Sequence, residues 1–322
     1  MDLSLSKETW MFGAFALVII IMLVLDLGFF RVQARKISNR ETLAWSIVWI
    51  TLALAFGGFI YWCEGVTKAT EYVTAYLIEE ALSVDNLFVF ILIFSFFQVP
   101  AKYQHKVLFW GIIGAVIFRA IFIFSGVWLI NLTFLPVILL FGRPVQINVI
   151  LTLFGFFLVY AGVQSLKADG EEEKDFSNSL GVKIVRNLMP VTGKYDGGNF
   201  FTWQNGKRMA TLLLVVAAVL EITDLIFAVD SIPAIFSVSK DPFILYTSNI
   251  FAILGLRTLY FLLANTHQLF VYLKYGLAFI LSFIGFKMVC SPFIYISTSL
   301  SLAIVAGVLF ISVITSLVVK KA

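Results

Sequence analysis

The sequence predicts an all-α polytopic membrane protein of about nine transmembrane helices, with a 3+3 inverted-topology repeat. Three observations predict this: an apolar surplus, nine windows of membrane-crossing length, and two matching acidic stretches inside them. Of 322 residues, 61% are hydrophobic, 16% aromatic and 13% charged, and the mean hydropathy is +0.98. Soluble domains carry about a quarter charged residues and just under half apolar ones. The chain lacks the polar skin that a water-soluble core needs, so its solvent is lipid. That excludes a soluble enzyme, a secreted scaffold and a nucleic-acid domain. Cys63 and Cys290 are far apart in apolar surroundings and give neither a disulfide framework nor a zinc spacing.

A helix needs about 20 mainly apolar residues to cross the hydrocarbon core. Such windows fall near 10–30, 43–62, 72–98, 106–130, 145–166, 209–230, 243–264, 275–294 and 297–318. The first has a flank that is not basic (Asp2, Lys7, Glu8) and no small-residue cleavage site, so it reads as a retained span. The eighth and ninth meet at Ser291-Pro292, where a tight turn fits. The chain is expected to form one transmembrane domain, 1–322. It comprises two leading spans (10–71), a first repeat (72–166), a loop with a short hairpin (167–208), a second repeat (209–294) and a last span (295–322).

Lys and Arg concentrate on the cytoplasmic side of membrane proteins. With nine spans, one set of loops holds sixteen of the 23 basic residues, among them Arg31, Arg35, Lys36, Arg40, Lys183, Arg186, Lys207 and Arg208. The other set holds four: Lys7, Lys68, Arg143 and Lys240. This places the N-terminus outside and the C-terminus in the cytoplasm. The net charge of +4 is then a topology signal and asks for no nucleic-acid partner. The 167–208 insert lies on the cytoplasmic side. Its run Glu171-Glu172-Glu173 reads as a solvated loop, and aromatic and polar residues flanking Asn205-Gly206 read as a β-hairpin.

Ionisable residues at mid-membrane cost about 2.5–3.5 kcal/mol each on insertion scales and mark function by default. The third span holds Glu79, Glu80 and Asp85, with Asn86 beside them, and the sixth holds Glu221, Asp224 and Asp230, with Ser231 beside them. Three buried cations, Arg119, Arg257 and Lys287, cannot neutralise six carboxylates. Glu79 and Asn86 are seven apart, as are Asp224 and Ser231, so each pair shares a helical face. Pro233 removes a backbone donor just after Ser231, where a broken helix would free carbonyls. Hard oxygen ligands at discontinuous helices near the midplane are the form of a transporter's cation site.

The acidic stretches match each other. Glu79 is followed after five residues by Asp85-Asn86, and Asp224 after five by Asp230-Ser231. The next spans each carry one Arg, Arg119 and Arg257, and the spans after those carry Gly162-Val163-Gln164 and Gly285-Phe286-Lys287. Spans 3–5 thus echo spans 6–8. An odd number of crossings separates them, so the halves run in opposite directions. Such a repeat implies a site at its pseudo-twofold axis and alternating access.

Three segments carry a resemblance: Glu79-x5-Asp85-Asn86, Glu221-x2-Asp224-x5-Asp230-Ser231-Ile232-Pro233-Ala234, and Ser248-Asn249-x-Phe251-Ala252-Ile253-Leu254-Gly255-Leu256-Arg257. In order and spacing they resemble the signatures of the TerC family of bacterial membrane proteins, closest to its Alx-like branch, from about residue 10 to the C-terminus. The resemblance implies metal-ion export, chiefly of manganese, a link to tellurite resistance, and metal loading of exported proteins with handover partners. Gln164 stands where the second repeat has Lys287.

The expected function is secondary active export of Mn²⁺ or a similar hard divalent cation, in exchange for protons. Glu79, Asp85, Glu221, Asp224 and Asp230 supply carboxylate oxygens, Asn86 and Ser231 neutral ones, and Arg119, Arg257 and Lys287 balance charge. Asn249 is a further neutral oxygen donor. All-oxygen sites suit Mg²⁺, Ca²⁺ and Mn²⁺, whereas soft Cu(I) wants the thiolates this chain lacks as a cluster. Crowded carboxylates favour protonation, so metal and protons compete. The metal is substrate; no resident cofactor and no catalytic residue is expected. His105, His267, Cys63 and Cys290 read as inert, and Asp26 as a helix-end contact. Two other readings stand beside this one: a membrane redox or tellurite-resistance-type stress protein, and a metal-handover scaffold without transport of its own.

Overall fold

A computed structural model describes residues 9–22, 39–140, 143–167, 177, 179–204, 206–266, 273–294 and 296–319. Asp26, Glu171–Glu173 and His267 lie outside the described residues. The helices are α1 (Thr9–Met22), α2 (Asn39–Glu64), α3 (Val66–Phe96), α4 (Ala101–Leu132), α5 (Val149–Lys167), α6 (Leu180–Leu188), α7 (Leu212–Phe236), α8 (Pro242–Thr266), α9 (Leu273–Cys290) and α10 (Thr298–Val319). Two antiparallel hairpins interrupt them, β1 (Ile138–Leu140) with β2 (Arg143–Val145) and β3 (Phe201–Gln204) with β4 (Lys207–Ala210). Among the described residues, five helices can cross a membrane by length and composition: α2, α4, α7, α8 and α10. The described parts of α1, α5 and α9 are shorter apolar helices, and α3 carries Glu79, Glu80 and Asp85 in its middle.

Chain punctuation follows local chemistry. Gly65, at φ +86°, separates α2 from α3, a left-handed geometry that costs glycine nothing. α3 ends in a Schellman motif: Gln98 N–H reaches Ser95 O at 3.0 Å and Val99 N–H reaches Phe94 O at 2.9 Å. Pro100 then precedes α4. Asn148 caps α5 by accepting from Leu151 N–H at 3.0 Å, and its amide ties α5 to α4 through Ile130 O at 2.7 Å. In the hairpin β3–β4, Gln204 pairs with Lys207 and Gly206 takes φ +71°.

Three differences from the sequence expectations have physical causes. α7 runs unbroken through Pro233 to Phe236. Proline there only lacks the N–H that would bond to Val229 O, and the helix closes one turn later through Ser237 N–H to Ala234 O at 3.2 Å and Val238 N–H to Ile235 O at 3.0 Å. The fifth span begins at Val149 rather than 145, because Arg143–Val145 pairs as a strand. The insert after α5, expected as a loop with a short hairpin, also holds α6, whose Gly181, Val182 and Val185 are buried against α7.

Within the bundle α5 packs on α9, α3 on α8, and α4 on α7. The α5–α9 contact depends on two glycines facing each other. A Cβ at Gly285 would lie 2.5 Å from Gly155 O, and one at Gly155 2.9 Å from Gly285 O. Small residues let helix backbones approach where lipid offers no hydrophobic drive for association. Phe15, Phe56, Tyr72 and Phe251 knit α1, α2, α3 and α8, with ring centroids 5.0 Å apart for Phe56 and Phe251 and 5.7 Å for Phe15 and Phe56.

At one end of the bundle the insert clamps the α3–α4 turn. The Tyr195 hydroxyl donates to Phe97 O at 2.7 Å, and burial pushes that phenol up to about 12, so it stays a donor. Lys106 Nζ donates to Gly198 O at 2.5 Å and lies over the Phe200 ring. At the opposite end Lys68 pairs with Asp241 at 2.7 Å, and Ser239 donates to Glu71 at 2.6 Å, joining α3 to the α7–α8 turn.

Gly285→Leu is expected to overpack the α5–α9 seam, at about 1–3 kcal/mol or more. Thermal unfolding in detergent should show a clear fall in Tm, whereas Gly307→Ala, where a Cβ meets nothing within 4 Å, should leave it unchanged.

Candidate functional site

Four helices converge on one polar node. Near its middle α4 places Arg119, fully buried, between Glu79 of α3, Asp224 of α7 and Asn249 of α8, all three buried. Arg119 Nη1 donates to Glu79 Oε1 in a short ion pair and to Asn249 Oδ1 at 3.1 Å. Its Nη2 donates to Asp224 Oδ1 at 3.4 Å. Ser83, one turn further along α3, donates to Glu79 Oε1 at 3.3 Å. Other buried hydroxyls in α8 turn back on their own helix: Thr247 to Phe243 O at 2.7 Å, Ser248 to Leu245 O at 3.1 Å, Thr258 to Gly255 O at 2.8 Å. Asn249 is the exception in that stretch, since its carbonyl oxygen serves Arg119.

The node is not closed. Glu79 Oε2, Arg119 Nε and Asn249 Nδ2 are buried and have no hydrogen-bond partner among the described residues. Each such group costs about 1–3 kcal/mol in a native interior. With one guanidinium against two carboxylates, the node also carries a formal excess of negative charge. Beside it lies a cavity of about 20 Å³, lined by Asp224 and Arg257 and by Leu87, Leu108, Gly111 and Ile253. Such a volume holds one water or one small ion. Leu87, Leu108, Gly111 and Arg257 lie in the half of their helices nearer the insert, and Asp224 and Ile253 near the middle of theirs.

Glu221 sits on the same side, on the face of α7 that meets α4. A Cβ at Gly114 would fall 2.1 Å from its Oε1, 2.4 Å from its carboxyl carbon and 2.6 Å from its Oε2. At Gly111 a Cβ would lie 2.8 Å from Leu220 Cδ2. The pair Gly111 and Gly114, three apart on α4, thus forms a notch that seats this carboxylate. Glu80 points elsewhere, towards α8 and α2. A Cβ at Gly255 would be 3.8 Å from its Oε1 and 3.9 Å from Trp49 Cβ.

The remaining site residues named from sequence separate as follows. Asn86 and Ser231 are buried, and Ser231 Oγ has no partner among the described residues. Asp85 and Asp230 lie in α3 and α7, but their side chains are outside the described residues. Arg257 is buried at the cavity wall. Lys287 lies away from the node, with its ammonium 2.9 Å from Ser301 Oγ of α10. His105 stacks on Phe261 with ring centroids 3.9 Å apart. Among the described residues, no three His, Cys, Asp or Glu side chains gather closely enough to hold a metal. Glu79 and Asp224 are instead bridged by Arg119. The sequence reading overlooked the glycine notch, although two glycines three apart facing an acidic helix were the available signal.

Arg119→Met should leave buried carboxylates uncompensated and cost about 3–5 kcal/mol. Folded yield and Tm in detergent should fall sharply, and adding Glu79→Gln to Arg119→Met should restore part of both.

The model of the integral membrane protein TerC family matches residues 64–322. The chain is 42% identical over 311 residues to an uncharacterized membrane protein of Myxococcus xanthus, covering 97% of this chain and 93% of that one. It is 43% identical over 315 residues to an Escherichia coli K12 protein with the provisional name membrane-bound redox modulator Alx, covering 94% of this chain and 93% of that one. An uncharacterized membrane protein of Rickettsia bellii is 39% identical over 307 residues, covering 95% of this chain and 97% of that one. No solved structure matches. Apolar helices of membrane-crossing length and a family match over most of the chain agree: this is a multi-pass membrane protein of the TerC family.

Proposed function

We propose that the protein is a secondary active transporter that exports Mn²⁺ or a similar hard divalent cation from the cytoplasm in exchange for protons. The observation that carries this reading is the meeting of Glu79 and Asp224 at Arg119 inside an apolar bundle. Arg119 acts as a tethered cation that neutralises the carboxylates between cycles. An incoming dication displaces it and takes oxygens from Glu79, Asp224 and Asn249, completed by Asp85, Asp230, Asn86 and Ser231. Glu221, in its notch beside Asp224, receives the ion from the cytoplasmic side. Arg257 balances charge at the cavity wall, and Lys287 does so only through rearrangement from Ser301. An all-oxygen donor set supports a hard cation.

Nine spans, with the N-terminus outside and the C-terminus in the cytoplasm of the inner membrane, complete the reading. Helix pairing supports the inverted repeat. Exchanging the two halves maps the contact of α3 with α8 onto that of α7 with α4, and α5 with α9 onto itself. The metal and protons are the cargo; the protein holds no resident cofactor, performs no covalent chemistry and takes no nucleic acid. The name of the Escherichia coli relative favours a second reading, a redox or stress role. It would fall to Cys63 and Cys290, thiols at the ends of α2 and α9. A metal-handover scaffold, acting with a protein partner, is the third.

Purified protein in liposomes should move Mn²⁺ when a pH gradient is imposed. Asp224→Asn should abolish the flux, and Cys63→Ser with Cys290→Ser should preserve it. The redox and scaffold readings both predict no flux from the wild type; a redox role would in addition show as stress protection lost with the two cysteines and kept in Asp224→Asn.

A further inference from the structure

The insert between α5 and α7 carries surfaces that the transport reading does not use. α6 runs antiparallel to the start of α7. Gly181 abuts the backbone of Ala218 and Val219, where an added Cβ would lie 2.6 Å from Val219 Cα, while at the other end Pro190 O accepts from Ala210 N–H at 2.9 Å. Val219 is seven residues into α7, about 10 Å along its axis at 1.5 Å per residue. The start of α6 therefore stands beside α7 about 10 Å into a helix that is long and apolar enough to cross a membrane.

α6 has three faces. Gly181, Val182 and Val185 are buried against α7. Leu180, Ile184 and Leu188, four apart and so on one stripe, are 59%, 43% and 76% exposed. Lys183, Arg186 and Asn187 form the third, polar stripe and are exposed. The adjoining hairpin repeats this chemistry. Phe201 and Trp203 share a face of β3 with Arg208 opposite Trp203, the Arg208 guanidinium lies 3.9 Å over the Phe201 ring, and Trp203 is 71% exposed. Among the described residues from 179 to 211 there are five basic side chains and one acid, Asp196.

We propose that α6 and the β3–β4 hairpin form an interfacial lipid-binding element whose apolar stripe enters the acyl boundary while its basic residues bind anionic lipid headgroups. An apolar stripe, an aromatic at the water boundary and flanking Lys and Arg constitute the pattern of a helix lying in the interface. Its occupant follows from position and charge. The stripe is borne by a helix packed along the first turns of α7, which is long and apolar enough to cross a membrane, and the basic side chains complement an anionic leaflet surface. The element clamps the α3–α4 turn through Tyr195 and Lys106, so lipid bound there bears on the helices that hold Glu79 and Arg119.

Full-length protein with Cys63→Ser and Cys290→Ser, and with Ile184→Cys, Leu188→Cys, Gly193→Cys or Trp203→Cys one at a time, is spin-labelled and reconstituted in phosphatidylcholine, with or without phosphatidylglycerol. Labels at 184 and 188 should show an oxygen-to-nickel-complex accessibility ratio several-fold above that at exposed Gly193. Phosphatidylglycerol should immobilise the label at 203, and added salt should reverse this. Higher nickel accessibility at 184 and 188 would overturn the proposal by placing the stripe in water. Shielding from both reagents would overturn it in favour of a protein partner or a second copy. Identical spectra in both lipids would overturn the anionic-headgroup assignment.

Discussion

A guanidinium held in the apolar interior of a membrane protein is the constraint on which the other interior contacts depend. Arg119 is fully buried and cannot shed its proton, so carboxylates must come to it. Glu79 and Asp224 do so from α3 and α7, and Asn249 adds an oxygen from α8. One side chain therefore fixes the relative rotation of four helices, which van der Waals packing between apolar faces specifies only loosely. The glycine contacts serve the same end elsewhere, seating Glu221 on α4 and drawing α5 onto α9.

Structural ion pairs in a low-dielectric interior are favourable only when every hydrogen-bonding group is satisfied. Here Glu79 Oε2, Arg119 Nε and Asn249 Nδ2 are buried without partners among the described residues, and a cavity of about 20 Å³ adjoins Asp224 and Arg257. A node meant only to hold helices together would gain from closing those gaps. Open valences, spare negative charge and room for one small ion suit a site whose occupant comes and goes. On the proposed reading, Arg119 supplies the cation that the carboxylates require when no metal is bound.

Much of this was legible in the sequence, and for definite reasons. Charged residues stand out against lipid, so Glu79, Arg119, Asp224 and Arg257 declared themselves. The Asn205-Gly206 dipeptide between aromatic and polar runs marked the hairpin. What was not legible was pairing across space. Periodicity put Glu79 and Glu80 in one helix but could not say that Glu80 turns to Gly255 and Trp49, nor that Lys287 finds Ser301. Pro233 suggested a break because its position relative to the helix end was unknown. α6 was missed because nine residues are too few for a membrane-crossing window, and its burial depends on a glycine meeting the backbone of α7.

If the node is a cation site in which Arg119 and metal compete for the same oxygens, metal binding should be measurable without any gradient. Electron paramagnetic resonance of Mn²⁺ titrated into the detergent-purified protein tests this most directly, since bound ions drop out of the free six-line signal. The account predicts saturable loss of that signal in the wild type. It also predicts at least about tenfold weaker binding in Asp224→Asn, equivalent to roughly 1.4 kcal/mol, with the variant retaining a folded elution profile. Equal binding by wild type and Asp224→Asn would contradict it.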